Sequence, residues 1–267
     1  MLSILFVLSL LWTLAFQNST EAQQLEKISD PKIYFVNVGQ GDFTILALRD
    51  SCWIFDPGGE SSQVSKNLLG LLSKQCALKS INVVLSHFDR DHYSKLKGLT
   101  RIGHFENFYY SNPNPHSTYG KKLLFELRNI FRNPVQIVIP KKMVIEGVEI
   151  NLTPPLGSQK KKIENDWSLV TKIVYGKKNI LITGDAPPGT QNLATTKPID
   201  ILRVSHHGSQ HNTSNSLLEK LKPKTCVVSV GDQNSYGHPH PKLLHDLVKH
   251  RCAILRTDRL GTIEVSL

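Results

Sequence analysis

The sequence predicts an α/β layered domain, and three observations carry that expectation. Short β-branched runs alternate with amphipathic stretches from Lys32 onward. Polar clusters of metal-donor type stand directly after several of those runs. The 267 residues are 40% hydrophobic and 20% charged, which suits one domain with a substantial core and excludes a disordered or collagen-like chain.

In chain order, Leu2 to Phe16 form an apolar run broken only by Ser3, Ser9 and Thr13, and a polar stretch follows. The run is shorter than the roughly 20 residues a bilayer requires. Small residues at Thr20 and Ala22 fit signal-peptide cleavage before Gln23, so residues 1–22 are expected to be a signal peptide and 23–267 the working domain. No basic residue precedes the run, which leaves an uncleaved anchor as the alternative. The expected location is secreted or periplasmic, with no stable membrane insertion after cleavage. An exported chain meets an oxidising compartment, and four cysteines allow three disulfide pairings. Cys52–Cys76 with Cys226–Cys252 is favoured because each pair stays within one half of the chain; no C-x-x-C spacing supports a zinc knuckle.

Strands are expected at 33–38, 43–48, 52–55 and 81–85, with a helix at 63–75 between the last two. Residues 111–119 are the least regular and read as an insertion or lid, followed by a helix over 121–131. Strands are then expected at 148–152, 169–175, 179–183, 199–204, 225–230 and 253–256, with helices at 214–221 and 241–250. The Lys160-Lys161-Lys162 run reads as a solvated charged turn rather than a phosphate clamp. The net charge of +10 suits an anionic partner such as phosphate, nucleic acid or lipid headgroup, although a basic surface needs no partner to explain it.

The strongest chemical signal is Ser86-His87-Phe88-Asp89-Arg90-Asp91-His92, four metal donors in six residues at the end of an apolar strand. Helix capping would need only one of them. Imidazole and carboxylate together suit zinc, manganese or iron. Gly184-Asp185 ends another strand, and Ser205-His206-His207-Gly208-Ser209 ends a third. Strands finishing at one sheet edge deliver these residues to a common crevice.

These clusters, in this order, resemble the metallo-β-lactamase superfamily. The segments 36–42, 56–59, 164–170, 206–209 and 236–241 narrow the resemblance to its ComEC-type competence branch, over Lys32 to the C-terminus; the membrane channel and nucleic-acid-binding domain of full-length ComEC proteins lie outside it. The resemblance implies a four-layer αββα sandwich, two mixed β-sheets flanked by helices. It also implies two divalent metal ions. His87 and Asp89 would bind one, Asp91, His92 and His206 the other, and Asp185 would bridge them with Asp56 in support. The superfamily usually has His where Asp89 stands, and a further His where Asn165 and Asp166 fall. Asn165 is therefore the candidate weak ligand or orienter, ahead of His104 and His116. An oxygen-rich site moves preference from zinc toward manganese, with magnesium a third candidate.

His207 and His238 are candidates for contacting substrate oxygens or donating a proton to a leaving group, alongside Asp91 and Asp185 as catalytic residues. His240, between two prolines, belongs to a turn, and His211, His245 and His250 to the surface or packing. Ser168 and Ser209 lack the base and orienter of a nucleophilic triad. The expected reaction is hydrolysis by a metal-activated water. Its expected substrate is nucleic acid or another phosphodiester, making the chain a nuclease of the kind DNA uptake employs. The alternatives are an exported carbon-ester or amide hydrolase, and a non-catalytic nucleic-acid-binding module with a structural metal.

Overall fold

The computed structural model describes residues 30–60, 63–99, 103–156, 163–195 and 197–267. The expected signal peptide and the Lys160–Lys162 run lie outside them. The described residues form two seven-stranded mixed sheets flanked by helices, as the resemblance implies.

The first sheet contains β1 (Lys32–Phe35), β2 (Thr44–Ala47), β3 (Ser51–Phe55), β4 (Ser80–Val84), β5 (His104–Tyr110), β6 (Asn133–Gln136) and β14 (Ile263–Ser266), in the order β14-β1-β2-β3-β4-β5-β6. The second runs β13-β12-β11-β10-β9-β8-β7, from β7 (Lys141–Ile145), β8 (Val148–Thr153), β9 (Val170–Tyr175), β10 (Lys178–Ile182), β11 (Ile201–Arg203), β12 (Thr225–Val228) and β13 (Ala253–Arg256). Each sheet is antiparallel on one side and parallel on the other. The parallel strands β3–β6 and β10–β13 are joined by crossovers, several of them helical.

Strand alternation feeds two cores at once. In β2, Ile45 packs toward the outer helices and Leu46 toward the second sheet. Between the sheets, Phe35, Trp53 and Val84 meet Ile150, Ile173 and Ile182. Outside the first sheet lie α1 (Lys66–Cys76), with Leu68 and Leu72, and α4 (Thr118–Ile130), with Leu124 and Leu127. The second sheet is covered by α6 (Asn215–Leu221) and α7 (Pro241–Lys249), through Leu217, Leu218, Leu221, Leu243 and Leu247. Short helices α2 (Arg90–Tyr93), α3 (Leu96–Leu99), α5 (Pro188–Ala194) and α8 (Thr257–Leu260) complete the set. Both favoured disulfides are present: Cys52–Cys76 ties β3 to the end of α1, and Cys226–Cys252 ties β12 to the residue before β13.

Residues 111–119, expected as an insertion or lid, are anchored at both ends: Ser111 and Asn112 are buried, Asn112 Nδ2 donates to Glu164 Oε1 at 2.8 Å, and Ser117 caps α4. Strands β5, β6, β7 and β14 escape the sequence pattern. β5 carries Glu106 and Asn107 at its centre, and Asn107 is held there by Asn82. Strands β6 and β7 are edges, with Pro134 in one and exposed lysines in the other, as edge strands often are.

Candidate metal centre

The site lies where the parallel strands of both sheets end. Asp56 follows β3, His87 follows β4, Asp185 follows β10 and His206 follows β11. Three chain segments are stitched together through the Asp91 carbonyl, which accepts from Asp42 N at 3.1 Å and Gly59 N at 2.9 Å. The contact is so close that a Cβ on Gly58 would sit 1.8 Å from that oxygen. On the facing sheet, Gly184 has φ +51°, and a Cβ there would meet the Ser86 side chain at 2.5 Å.

Four imidazoles share one arrangement. Each has Nδ1 tied back to the protein: His87 to Ser86 Oγ (2.8 Å), His92 to Asp56 Oδ2 (3.1 Å), His206 to Asn212 Oδ1 (3.3 Å) and His207 to the Ser229 carbonyl (3.0 Å). Each turns Nε2 toward a carboxylate. His92 Nε2 lies 3.2 Å from Asp185 Oδ1; His87 and His206 lie 3.8 and 3.6 Å from Asp185 Oδ2. His207 Nε2 lies 2.9 Å from Asp91 Oδ2, and Asp89 Oδ2 is 3.3 Å from His87 Nε2. Asp185 thus stands between two groups of donors, with Asn165 Nδ2 donating to its Oδ2 at 3.1 Å.

The donor set fits divalent metal. The Nε2 atoms of His87 and His92 and Oδ1 of Asp185 are buried without a hydrogen-bond partner, a costly condition that coordination relieves. Nδ1 atoms held from behind fix the tautomer that presents Nε2 as a ligand. His87, His92 and Asp185 form one compact group of donors, and Asp91, His92 and His207 form another. The second group has His207 beside Asp91 and His92, where the resemblance implies His206; the partly exposed His206 faces the His87 side of Asp185.

Charge follows geometry. Although burial opposes it, Asp185 and Asp91 hold the His92 imidazolium well above the usual histidine range, and the close approach of Asp185 and Asp56 to its two nitrogens adds to the effect. His207 rises against the same burial penalty through Asp185 and its bond to Asp91. Asp185 and Asp91 are depressed despite burial, chiefly by His92. His238 goes the other way: burial, with His206 and His207 nearby, lowers it to about 4. That shift favours the neutral imidazole, with an N–H for a substrate oxygen.

Three residues without an assigned role in the sequence reading hold this centre. Arg203 is fully buried, donates Nη1–H to the Gly184 carbonyl at 2.7 Å and pairs with buried Asp42. Glu164 accepts from Phe88 N at 3.1 Å, fixing the loop between His87 and Asp89. A charged residue inside the apolar run 201–204 is itself a sequence signal, since arginine is seldom buried unpaired. Asp42 and Glu164 stand inside quoted motifs, and nothing local distinguishes them from turn residues.

Of the remaining histidines, His240 caps α7 by accepting from Lys242 N, His116 pairs with Glu164 at 2.8 Å, and His104 lies exposed beside Glu106. A cavity of about 290 Å³ opens over Asp89, Asp185, His206 and His238. A larger one of about 690 Å³ lies away from the centre, beside Leu69, Leu72 and Phe105, and its wall is mainly apolar.

A model of the metallo-β-lactamase superfamily matches residues 36–232. The chain belongs to that superfamily. Its relatives include ComEC-type competence proteins: it is 25% identical over 256 residues to ComE operon protein 3 of Bacillus subtilis, covering 88% of this chain and 33% of that one. It is 24% identical over 243 residues to Recombination protein 2 of Haemophilus influenzae, covering 86% and 28%. The chain therefore spans about a third of the length of these relatives. Among solved structures, the metallo-β-lactamase fold protein YhfI of Bacillus subtilis superposes with a TM-score of 0.61 at 11% identity, covering 88% of this chain and 100% of that one. Zinc-bound PqqB from Methylobacterium extorquens gives 0.56 at 12%, covering 88% and 100%. Members of the superfamily are in general metal-dependent hydrolases, and the fold binds divalent metals.

Proposed function

We propose that the protein is an exported, metal-dependent phosphodiesterase that hydrolyses nucleic acid. The observation that carries the metal-dependent part is the convergence of four Nε2 atoms on two carboxylates, with buried donor atoms left unsatisfied. Divalent ions held by His87, Asp89, Asp91, His92, Asp185 and His206, with His207 beside Asp91, would supply a water of lowered pKa and neutralise charge on a phosphoryl oxygen.

The chain's own residues do the remaining work. Asp185 would bridge the two donor groups through the side it shares with His92, so its orientation would set their separation. Asp56 and the Asp42–Arg203 pair hold the two sheet edges in register around it. Neutral His238 offers an N–H to a non-bridging oxygen, and Asn165 restrains Asp185. The phosphodiester part is supported by the relatives' names, which tie them to competence and recombination, and by the net charge of +10. Two disulfides suit work outside the cytoplasm.

The test combines metal analysis of the purified protein with hydrolysis of single- and double-stranded DNA, RNA and bis(p-nitrophenyl) phosphate under zinc, manganese or magnesium. About two ions per chain are expected, with activity on polynucleotides that falls as salt rises. Turnover confined to carboxylic esters, or DNA binding without hydrolysis under all three metals, would replace this reading with one of its alternatives.

A further inference from the structure

Three cavities meet at one exposed side chain. Arg90 lines the cavity over the metal centre; it also lines a neighbouring one of about 490 Å³, bounded by Glu60, Gln233 and Tyr236, and another of about 510 Å³, bounded by Phe88, Tyr93 and Tyr119. Asp91 is shared with the first neighbour and Asp89 with the second, so open space continues from the metal centre in two directions. At the two rims stand Tyr236, 69% exposed, and Tyr119, 77% exposed.

Neither tyrosine is a loose surface residue. Tyr236 stacks on His238 with ring centroids 5.9 Å apart and planes inclined by 23°. Its loop is pinned by Asn234, whose Oδ1 accepts from Tyr236 N and His238 N and whose Nδ2 donates to the His238 carbonyl at 2.6 Å. Tyr119 sits in the first turn of α4, fixed by the Ser117 cap, and Gly120 lets that turn approach Phe88 of the metal loop. Exposed Lys122 follows three residues later on the same helical face. Arg90 engages in no ion pair among the described residues.

Exposed aromatic rings on firmly held backbone, to either side of a cation, suit a single strand of nucleic acid, whose bases offer free faces and whose backbone offers phosphates. A duplex keeps its base faces stacked inside and offers these rings nothing. We propose that the strand runs along this groove past the metal centre, with Arg90 at a backbone phosphate and Tyr236 and Tyr119 each stacking a base. The inference rests on the phosphodiesterase reading for its substrate class and adds the strandedness and the residues that select it.

Binding is read by fluorescence anisotropy, with calcium as the divalent ion, using an oligothymidylate, an abasic strand of equal length and a duplex. Tyr236→Ala and Tyr119→Ala are each expected to weaken the oligothymidylate about ten-fold or more and to leave the abasic strand unchanged. The phenylalanine variants, which keep the ring, should bind like the parent. Arg90→Ala should weaken base-bearing and abasic strands alike and lower the salt slope by about one. A duplex binding as tightly as the single strand, or alanine variants that affect abasic and base-bearing strands equally or not at all, would overturn the proposal. Because no hydrolysis is measured, failure of the phosphodiesterase reading would show separately, as binding intact without turnover under zinc, manganese or magnesium.

Discussion

The two sheets share a layout, antiparallel on one side and parallel on the other, yet they supply the centre in opposite ways. The first contributes a contiguous run, His87 to His92, from the loop after β4 and the short helix α2 that follows it. The second contributes its donors separately, Asp185 after β10 and the histidine pair after β11, and it needs a buried arginine and Asn212 to hold them. A dense loop can position its own ligands through its neighbours, as Ser86 does for His87. Both sets also depend on partners distant in sequence, His92 on Asp56 and the Gly184 carbonyl on Arg203.

The largest effect should come where the sheets meet. Asp185→Ala removes the one carboxylate that faces both donor groups, so metal content should fall on both sides of the centre, with hydrolysis lost. Elemental analysis is the direct check. Loss of a single ion would show that the first sheet's loop holds metal without help from the second.

The disulfides compare the two halves in stability rather than chemistry. They close loops of nearly equal length, with separations of 24 and 26 residues. Chain entropy alone therefore assigns each about 3.5 kcal/mol. Replacing either pair by alanines should lower the urea-unfolding free energy by similar amounts. A clear inequality would mean that one half keeps residual structure when unfolded.

A smaller effect is expected from support residues. Asp56→Asn keeps the bond from Ser86 N but weakens the hold on His92, and metal affinity should drop about 10–100-fold. Arg203→Met acts on the opposite edge by releasing the Gly184 carbonyl and removing the guanidinium beside buried Asp42, and a comparable drop is expected. Competition with a chromophoric chelator measures both. If only the Asp56 variant responds, Arg203 serves the fold rather than the centre.

The same contrast explains what the sequence disclosed. The loop 86–92 was legible because four donors after one apolar strand have no economical structural explanation. Asp185 and His206 were legible only through the order of motifs, since a Gly-Asp turn or a histidine pair is ordinary alone. The partnership of His207 with Asp91 was not legible: it depends on left-handed backbone at both His206 and His207, φ 52° and 53°, which decides which ring turns inward. Strands with an apolar pattern were found to within a few residues, and those missed were edges or carried polar side chains paired within the sheet.

The smallest effect concerns protons and separates the metal-free centre from the loaded one. Without metal, His92 is held protonated above the usual histidine range while Asp185, Asp91 and Asp56 are depressed. The raised imidazolium stabilises the fold fully below the unfolded histidine value of about 6.5, and that contribution is lost as pH climbs through the folded value. The depressed carboxylates stabilise it above their unfolded value of about 3.9, and theirs is lost as pH falls toward the folded values. Metal-free protein should therefore have its highest melting temperature between these limits and decline toward alkaline pH. Ligation requires neutral imidazole, so metal uptake near pH 7 should release on the order of one proton, visible by calorimetry in buffers of different ionisation enthalpy. The melting temperature gained from metal should then grow with pH. A gain that is flat from pH 6 to 9, with no proton release, would show that His92 is already neutral and that Asp185 and Asp91 do not set its charge.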